Sequence, residues 1–177
     1  NIVLEGITLN PTRIEAFKAL ERMGANITYE VVDNKYEPIG NISVKYAPLK
    51  AIVVDENISW LIDELPALSI AFACAQGESV VKNAQELRVK ESDRISVVVA
   101  GLRACGIEVD EYEDGYKVVG GELKKGVVDS DGDHRIAMSF IIAGLKCGME
   151  VNDLDCINTS FPNFFELLQK ITKVELS

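Results

Sequence analysis

The chain has no apolar run approaching the ~18–20 residues of a membrane-spanning helix. Its start also lacks the basic segment followed by an apolar one that marks a secretory leader. Basic residues are scarce: lysine and arginine number 18 against 28 aspartates and glutamates, for a net charge of −10. That argues against a broad nucleic-acid surface, because a polyanion needs a concentrated basic face. There is one histidine, and Cys74, Cys105, Cys147 and Cys156 show no C-x-x-C spacing, so a zinc site is disfavoured. The four thiols read instead as buried and reduced, in a cytosolic protein. A P-loop, a G-x-G-x-x-G turn and a G-x-S-x-G elbow are all missing, which leaves nucleotide-loop and serine-hydrolase readings without support. The sequence opens at Asn1 on a strand-like run, residues 2–4, without an initiator Met, as expected of a processed chain or an excised piece of a larger one.

What is present suffices for one substantial core: 177 residues, 47% of them hydrophobic. The chain repeats itself weakly. Residues 17–27 parallel residues 99–109, each a helix that ends at a glycine (Gly24, Gly106) and passes at once into a strand. Each strand runs into a hairpin. The second is read as a strand over 107–112, a Glu113-Asp114-Gly115 turn and a strand over 116–119, with Asp-Gly favouring a type I′ turn. Residues 67–75, Gly77 and 79–81 resemble 136–146, Gly148 and 149–151, so each half reads as helix, hairpin, short strand, helix, strand. The helices are apolar on most faces and belong inside, whereas the strands alternate and so have one wet face. The expected fold is α+β, an α/β prism of repeated units with helices buried inside solvent-facing sheets, and residues 1–177 form one domain.

Two charged clusters carry the chemistry: Lys90-Glu91-Ser92-Asp93-Arg94 and Asp133-His134-Arg135. Each precedes a long apolar run, 95–102 and 136–145, and therefore marks a helix N-terminus. Ser92, Asp93 and Asp133 suit the positive end of a helix, but Lys90, Arg94 and Arg135 are repelled by it. A bound anion would remove that penalty. With Arg88, these cations make a local basic site on an acidic body, suited to a small anion. Each signal also has a plainer reading. Pro66 makes Asp63 a natural N-cap for the helix at 67–75, with a catalytic carboxylate as the alternative. Thr12 and Ser160 read as ordinary caps, Glu91 with Lys90 as a surface pair, and His134 as a polar first-turn residue.

Taken together, residues 87–94, 131–138 and 61–66, with 9–13 and 159–162, resemble the signatures of the 5-enolpyruvylshikimate-3-phosphate (EPSP) synthase family in order and spacing. The likeness covers essentially the whole chain but only about the C-terminal two-fifths of the family's length. It implies two domains of βαβαββ units with an active cleft between them, this chain being the C-terminal domain, completed by strand-forming residues from the distant N-terminus. It also implies transfer of the enolpyruvyl group of phosphoenolpyruvate to the 5-hydroxyl of shikimate 3-phosphate with release of phosphate, in aromatic amino acid biosynthesis, without a metal or organic cofactor. Glyphosate competes with phosphoenolpyruvate in the family.

Carried over, the resemblance makes Arg94 and Arg135 the grip on phosphoenolpyruvate, and Asp63 the acceptor of the hydroxyl proton. It places Lys90 near the same hydroxyl and shikimate 3-phosphate, and Glu91 near the methylene carbon. His134 has a supporting role. Two positions depart from part of the family: Thr159 stands where some members have a lysine, and Glu86 where some have an asparagine. The alternatives are the sister reaction on UDP-N-acetylglucosamine and a non-catalytic anion-binding domain. The expected partners are the two substrates and the missing N-terminal domain, in the cytoplasm, with no nucleic acid or membrane. Alone, the chain is expected to be inactive.

Overall fold

A computed structural model describes residues 1–172. The first half runs β1 (Ile2–Thr8), α1 (Glu15–Arg22), β2 (Asn26–Asp33), β3 (Ile39–Lys45), β4 (Val53–Val54), the one-turn α2 (Ile58–Leu61), α3 (Leu65–Ala73) and β5 (Glu78–Val81). The second runs α4 (Arg94–Ala104), β6 (Glu108–Tyr112), β7 (Gly115–Val119), β8 (Val127–Asp129), α5 (His134–Cys147) and β9 (Glu150–Asn152), followed by α6 (Phe164–Ile171). Apart from the single turn of α2, helix, hairpin, short strand, helix, strand occurs twice, as the sequence predicts. The strands form three sheets, ordered β1-β3-β2, β4-β5-β7-β6 and β8-β9. In both halves the short strand and the last strand are parallel neighbours, β4 with β5 and β8 with β9. A parallel pair needs a long crossover, and α3 and α5 supply it. The fold is α+β.

The helices α3, α4 and α5 pack on one another inside the sheets. Phe72, Val99, Leu102, Ile136 and Phe140 are fully buried there. Each such side chain contributes about 1.5–3 kcal/mol of transfer free energy, which is why helices without a polar face stay inside. Alternation places Val109 of β6 and Tyr116 and Val118 of β7 on the inner face. A second, smaller core lies under the first sheet, around Leu9, Ile14, Ile27 and Ile42. Gly24 and Gly106 end α1 and α4 with φ of +95° and +78°, the left-handed backbone that glycine adopts without strain.

Four expectations need correction. The second hairpin closes on Glu113 and Asp114 with Tyr112 opposite Gly115, and none of these residues has positive φ, so the turn is not type I′. Gly115 serves packing instead, since a Cβ there would collide with the carbonyl of Val81. All four thiols are free, but only Cys105 is buried; the other three are half-exposed at helix or loop ends. Burial pushes the Cys105 thiol up to about 11. Thr12 does not cap α1: its N–H and hydroxyl both donate to Asn10 Oδ1 in a local turn. Ser160 does not cap α6 either, because that helix starts four residues later, after Asn163. Among the described residues no helix is long and apolar enough to cross a membrane.

A candidate anion site at three helix starts

Both clusters head helices, as expected, and their caps are made by the aspartates. Asp93 Oδ1 accepts from Ser96 N at 3.1 Å to start α4. Asp133 Oδ1 accepts from Arg135 N at 2.9 Å and Ile136 N at 3.3 Å to start α5. The third helix start differs. Asp63 precedes α3 but makes no cap, and the residue in the cap position, Glu64, makes no side-chain cap bond. The cap reading of Asp63 is therefore wrong. Its carboxylate turns to the arginines: Oδ1 accepts from Arg94 Nη1 at 3.0 Å and Oδ2 from Arg135 Nη2 at 3.3 Å, while Arg135 Nη1 reaches its carbonyl at 3.1 Å.

Arg94 is the centre of the arrangement. It is 1% exposed and paired with three carboxylates: Asp133 through Nε at 2.7 Å, Asp63 through Nη1, and Glu91 through Nη2 at 2.6 Å. Those carboxylates, rather than a foreign anion, relieve the penalty of a guanidinium at a helix start. Burial on its own lowers the pKa of Arg94, but the hydrogen bond and charge of Asp133, then Asp63 and Glu91, outweigh it and hold the group fully charged. For Asp63, partial burial works to raise the pKa. The hydrogen bond from Arg94 and the charges of Arg135, Arg94 and Lys90 prevail and hold it below the usual carboxylate range. Asp63 is thus an ionised acceptor at neutral pH.

Exposure separates the three partners of Arg94. Asp133 is 0% exposed, whereas Asp63 is 41% and Glu91 47% exposed. Water can solvate Asp63 and Glu91 once they leave, so an incoming anion can replace them at the guanidinium, whereas the fully buried Asp133 has nowhere to go. Arg135 is one-third exposed, and its Nε is buried without a hydrogen-bond partner among the described residues. The exposed part of Arg135 is its Nη edge, where the half-exposed Asp63 carboxylate is the group an anion would have to displace.

Of the other predicted residues, Lys90 pairs with Glu86 at 2.7 Å while acting on Asp63 through its charge. His134 is half-buried in the first turn of α5 and makes no side-chain hydrogen bond among the described residues. Thr159 is exposed at the end of the 3-10 segment Leu154–Thr159. Arg88 does not belong to the basic site. It turns to the second hairpin and binds Asp93, Glu111 and the carbonyls of Tyr112 and Glu113. An apolar groove of about 460 Å³ runs from Asp63 and Arg135 between α3 and α5, past Ile70 and Met138 to Cys74. Its lining suits no anion; the polar residues at its end do. Among the described residues no group of three or more His, Cys, Asp or Glu side chains is arranged to hold a metal ion.

Helix starts, two arginines and two half-exposed carboxylates make up a class of site whose chemistry suits a small, multiply charged anion. Comparison with known proteins makes this particular. Residues 1–168 match the family of EPSP synthase (3-phosphoshikimate 1-carboxyvinyltransferase), and the chain belongs to that family. It is 79% identical over 177 residues to the 3-phosphoshikimate 1-carboxyvinyltransferase of Sulfurimonas denitrificans, covering all of this chain and 41% of that protein. With the enzyme of the same name from Wolinella succinogenes it shares 60% identity over 174 residues, 98% of this chain and 40% of that one. Its structure resembles EPSP synthase from Acinetobacter baumannii with a TM-score of 0.89 at 41% identity, over 95% of this chain and 41% of the other. The enolpyruvyl transferase NikO from Streptomyces tendae shares the fold at 16% identity, with a TM-score of 0.73 over 95% of this chain and 38% of the other. The chain spans about two-fifths of the length of these relatives.

Proposed function

We propose that this chain is the C-terminal domain of an EPSP synthase and forms one wall of its active cleft. The whole enzyme transfers the enolpyruvyl group of phosphoenolpyruvate to the 5-hydroxyl of shikimate 3-phosphate, with release of phosphate, in the cytoplasm. One observation carries the reading: Arg94 and Arg135, from signatures on two separate helices, converge on the single carboxylate of Asp63.

In this reading phosphoenolpyruvate displaces Asp63 from Arg135 and from Arg94, and Glu91 from Arg94, and takes their places on the two guanidinium groups. Neutralising the arginines removes the charges that hold the Asp63 pKa down, so the displaced carboxylate becomes a better base. It accepts the proton of the 5-hydroxyl as that oxygen bonds to the central carbon of phosphoenolpyruvate. Glu91 stands at the methylene carbon, giving a proton in the addition and taking one back in the elimination that expels phosphate. Lys90 lies beside the same hydroxyl and the ring that carries it, and His134 supports the start of α5.

The sheet edges support a missing partner. In the middle sheet β5 has a parallel short strand on one side and an antiparallel hairpin strand on the other. By the same repeat, among the described residues β1 has only its hairpin neighbour β3, and β9 only its parallel neighbour β8. The rest of the enzyme fills both places in this reading and supplies the opposite wall of the cleft.

The test is a chimera in which this chain replaces the matching part of the Sulfurimonas denitrificans relative, assayed for phosphate release from phosphoenolpyruvate and shikimate 3-phosphate. Turnover that falls at least a hundredfold with Asp63→Ala and with Arg135→Ala supports the reading. A folded chimera without turnover, or unaffected variants, would refute it. The chain alone is expected to release no phosphate.

A further inference from the structure

Asp133 is the one acidic side chain of the site that faces no solvent. Its two oxygens divide their work. Oδ1 accepts the backbone N–H groups of Arg135 and Ile136 and so caps α5. Oδ2 accepts Arg94 Nε–H at 2.7 Å and the hydroxyl of Ser92 at 3.4 Å. One carboxylate therefore ties the backbone of one arginine to the side chain of the other, across 39 residues of sequence. A capping residue needs only one oxygen, and Ser or Asn serves as well as Asp. Capping alone does not account for a buried second oxygen on a buried guanidinium.

The position on Arg94 matters. The Nε edge is held by the buried Asp133, while the two Nη groups carry the half-exposed Asp63 and Glu91. When those two leave, Asp133 remains, among the described residues, as the only hydrogen-bond partner of the guanidinium, and it keeps the plane fixed with the two Nη groups turned to the places they held. We propose that Asp133 is a positioning residue: it holds Arg94 and the start of α5 in one register, so that Arg94 and Arg135 present a single preformed grip for the carboxylate or phosphate of the enolpyruvyl donor. Its dependence on the reaction rests on the function proposed above; the link between Asp133 and Arg94 does not.

The discriminating change is Asp133→Asn. The amide oxygen keeps the cap, and the amide NH₂ then faces Arg94 Nε–H, donor against donor. Asp133→Ser keeps the cap by another route and removes the second oxygen altogether, which covers the case of an asparagine that misfolds. Two readouts are taken on the chimera, unaltered and with each variant. With ¹⁵N-labelled arginine, the Arg94 Nε–H signal of the unaltered protein exchanges slowly with solvent, and both variants speed that exchange at least tenfold. In steady-state assays the KM for phosphoenolpyruvate rises at least tenfold in both variants, while that for shikimate 3-phosphate stays within threefold. Arg94 exchange unchanged in folded variants overturns the inference whatever the enzyme does. So does a KM for phosphoenolpyruvate within threefold of the unaltered chimera, even if thermal stability falls, because that is the signature of a cap alone. An unaltered chimera without turnover refutes the proposed function, and the exchange readout then decides the role of Asp133.

Discussion

Replacing Arg94 by alanine tests whether the site is also part of the core. Arg94 is 1% exposed and joined to three carboxylates with very different exposure. Losing the pairs to Asp63 and Glu91 costs about 0–1 kcal/mol each, because water reaches both carboxylates. Losing the pair to Asp133 is another matter: a fully buried carboxylate stays behind with its cap donors and Ser92 but no cation. Breaking a buried pair on one side costs about 3–5 kcal/mol, a large part of the ~5–15 kcal/mol of a typical domain. With a urea slope of about 2 kcal/mol/M, the midpoint of urea unfolding falls by about 1.5–2.5 M. Arg135→Ala is the control. Arg135 is one-third exposed and, among the described residues, its only carboxylate partner is Asp63 at 3.3 Å, so its loss shifts the midpoint by less than about 0.5 M. Equal midpoints for the two variants would refute the claim that Arg94 is held by a buried charge. The contrast also decides which variant reports on activity: Arg135→Ala removes the proposed substrate contact with little change to the fold, whereas Arg94→Ala confounds the two.

Three further outcomes follow from the geometry. A Cβ at Gly101 of α4 would press into the ring of Phe140 on α5; strain of about 1–3 kcal/mol opposes the ~1 kcal/mol that alanine gains over glycine in a helix. Gly101→Ala therefore lowers the melting temperature by up to about 8 °C, Phe140→Leu in the same chain recovers part of it, and a higher melting temperature for the single variant would sink the packing account. Asp63 and Asp93 both have folded pKa values below their ordinary 3.8. For Asp63 partial burial is outweighed by Arg94, Arg135 and Lys90; for Asp93 it is outweighed by Ser96 and Arg88. The stability they add is complete above that ordinary value and is lost as pH falls through the folded ones, so Asp93→Asn flattens the acid limb of a melting curve recorded against pH, and an unchanged limb counts against it. Glu64 behaves oppositely. Burial chiefly raises its pKa above the ordinary 4.5, with Arg135 pulling the other way, so its ionisation destabilises the fold at neutral pH, Glu64→Gln raises the melting temperature at pH 7, and the gain disappears below about pH 4; a gain independent of pH would show another cause.

Much of the fold was legible because its signals are local. The glycines after α1 and α4, the apolar runs of α4 and α5 and the alternation of β6 and β7 each follow from side-chain chemistry within a dozen residues. The internal repeat made the order of elements readable twice over. What failed was chemistry that depends on neighbours distant in sequence. Gly115 looked like a turn residue, and only the strand across from it shows that it makes room for the carbonyl of Val81. Asp63 before a proline looked like a cap, and nothing local tells that two arginines 31 and 72 residues away claim its carboxylate. Arg88 looked like a member of the basic cluster because spacing along a chain says nothing about which way a long side chain turns. The clusters themselves were legible, since a cation at a helix start is an anomaly visible in the sequence. Its resolution, three carboxylates from three segments of the chain, was not.

The repeat also explains how such a site arises from ordinary parts. In each half a short strand leads through an aspartate into the helix that crosses to a parallel strand: Asp63 before α3, between β4 and β5, and Asp133 before α5, between β8 and β9. The two helices pack against each other, so their starts meet. The aspartates diverge in what they face. Asp133 is buried, caps its own helix and holds Arg94 from behind. Asp63 is half-exposed, gives up its cap and lies across the open sides of both arginines. Had both been caps, Arg94 and Arg135 would repel each other across the junction with no ionised carboxylate between them. Had both been displaceable, no charge would fix Arg94 when an anion arrives. The fixed carboxylate keeps Arg94 in place, and the exchangeable one marks the side of both arginines from which a ligand can enter. That division lets a binding site stay folded when it is empty.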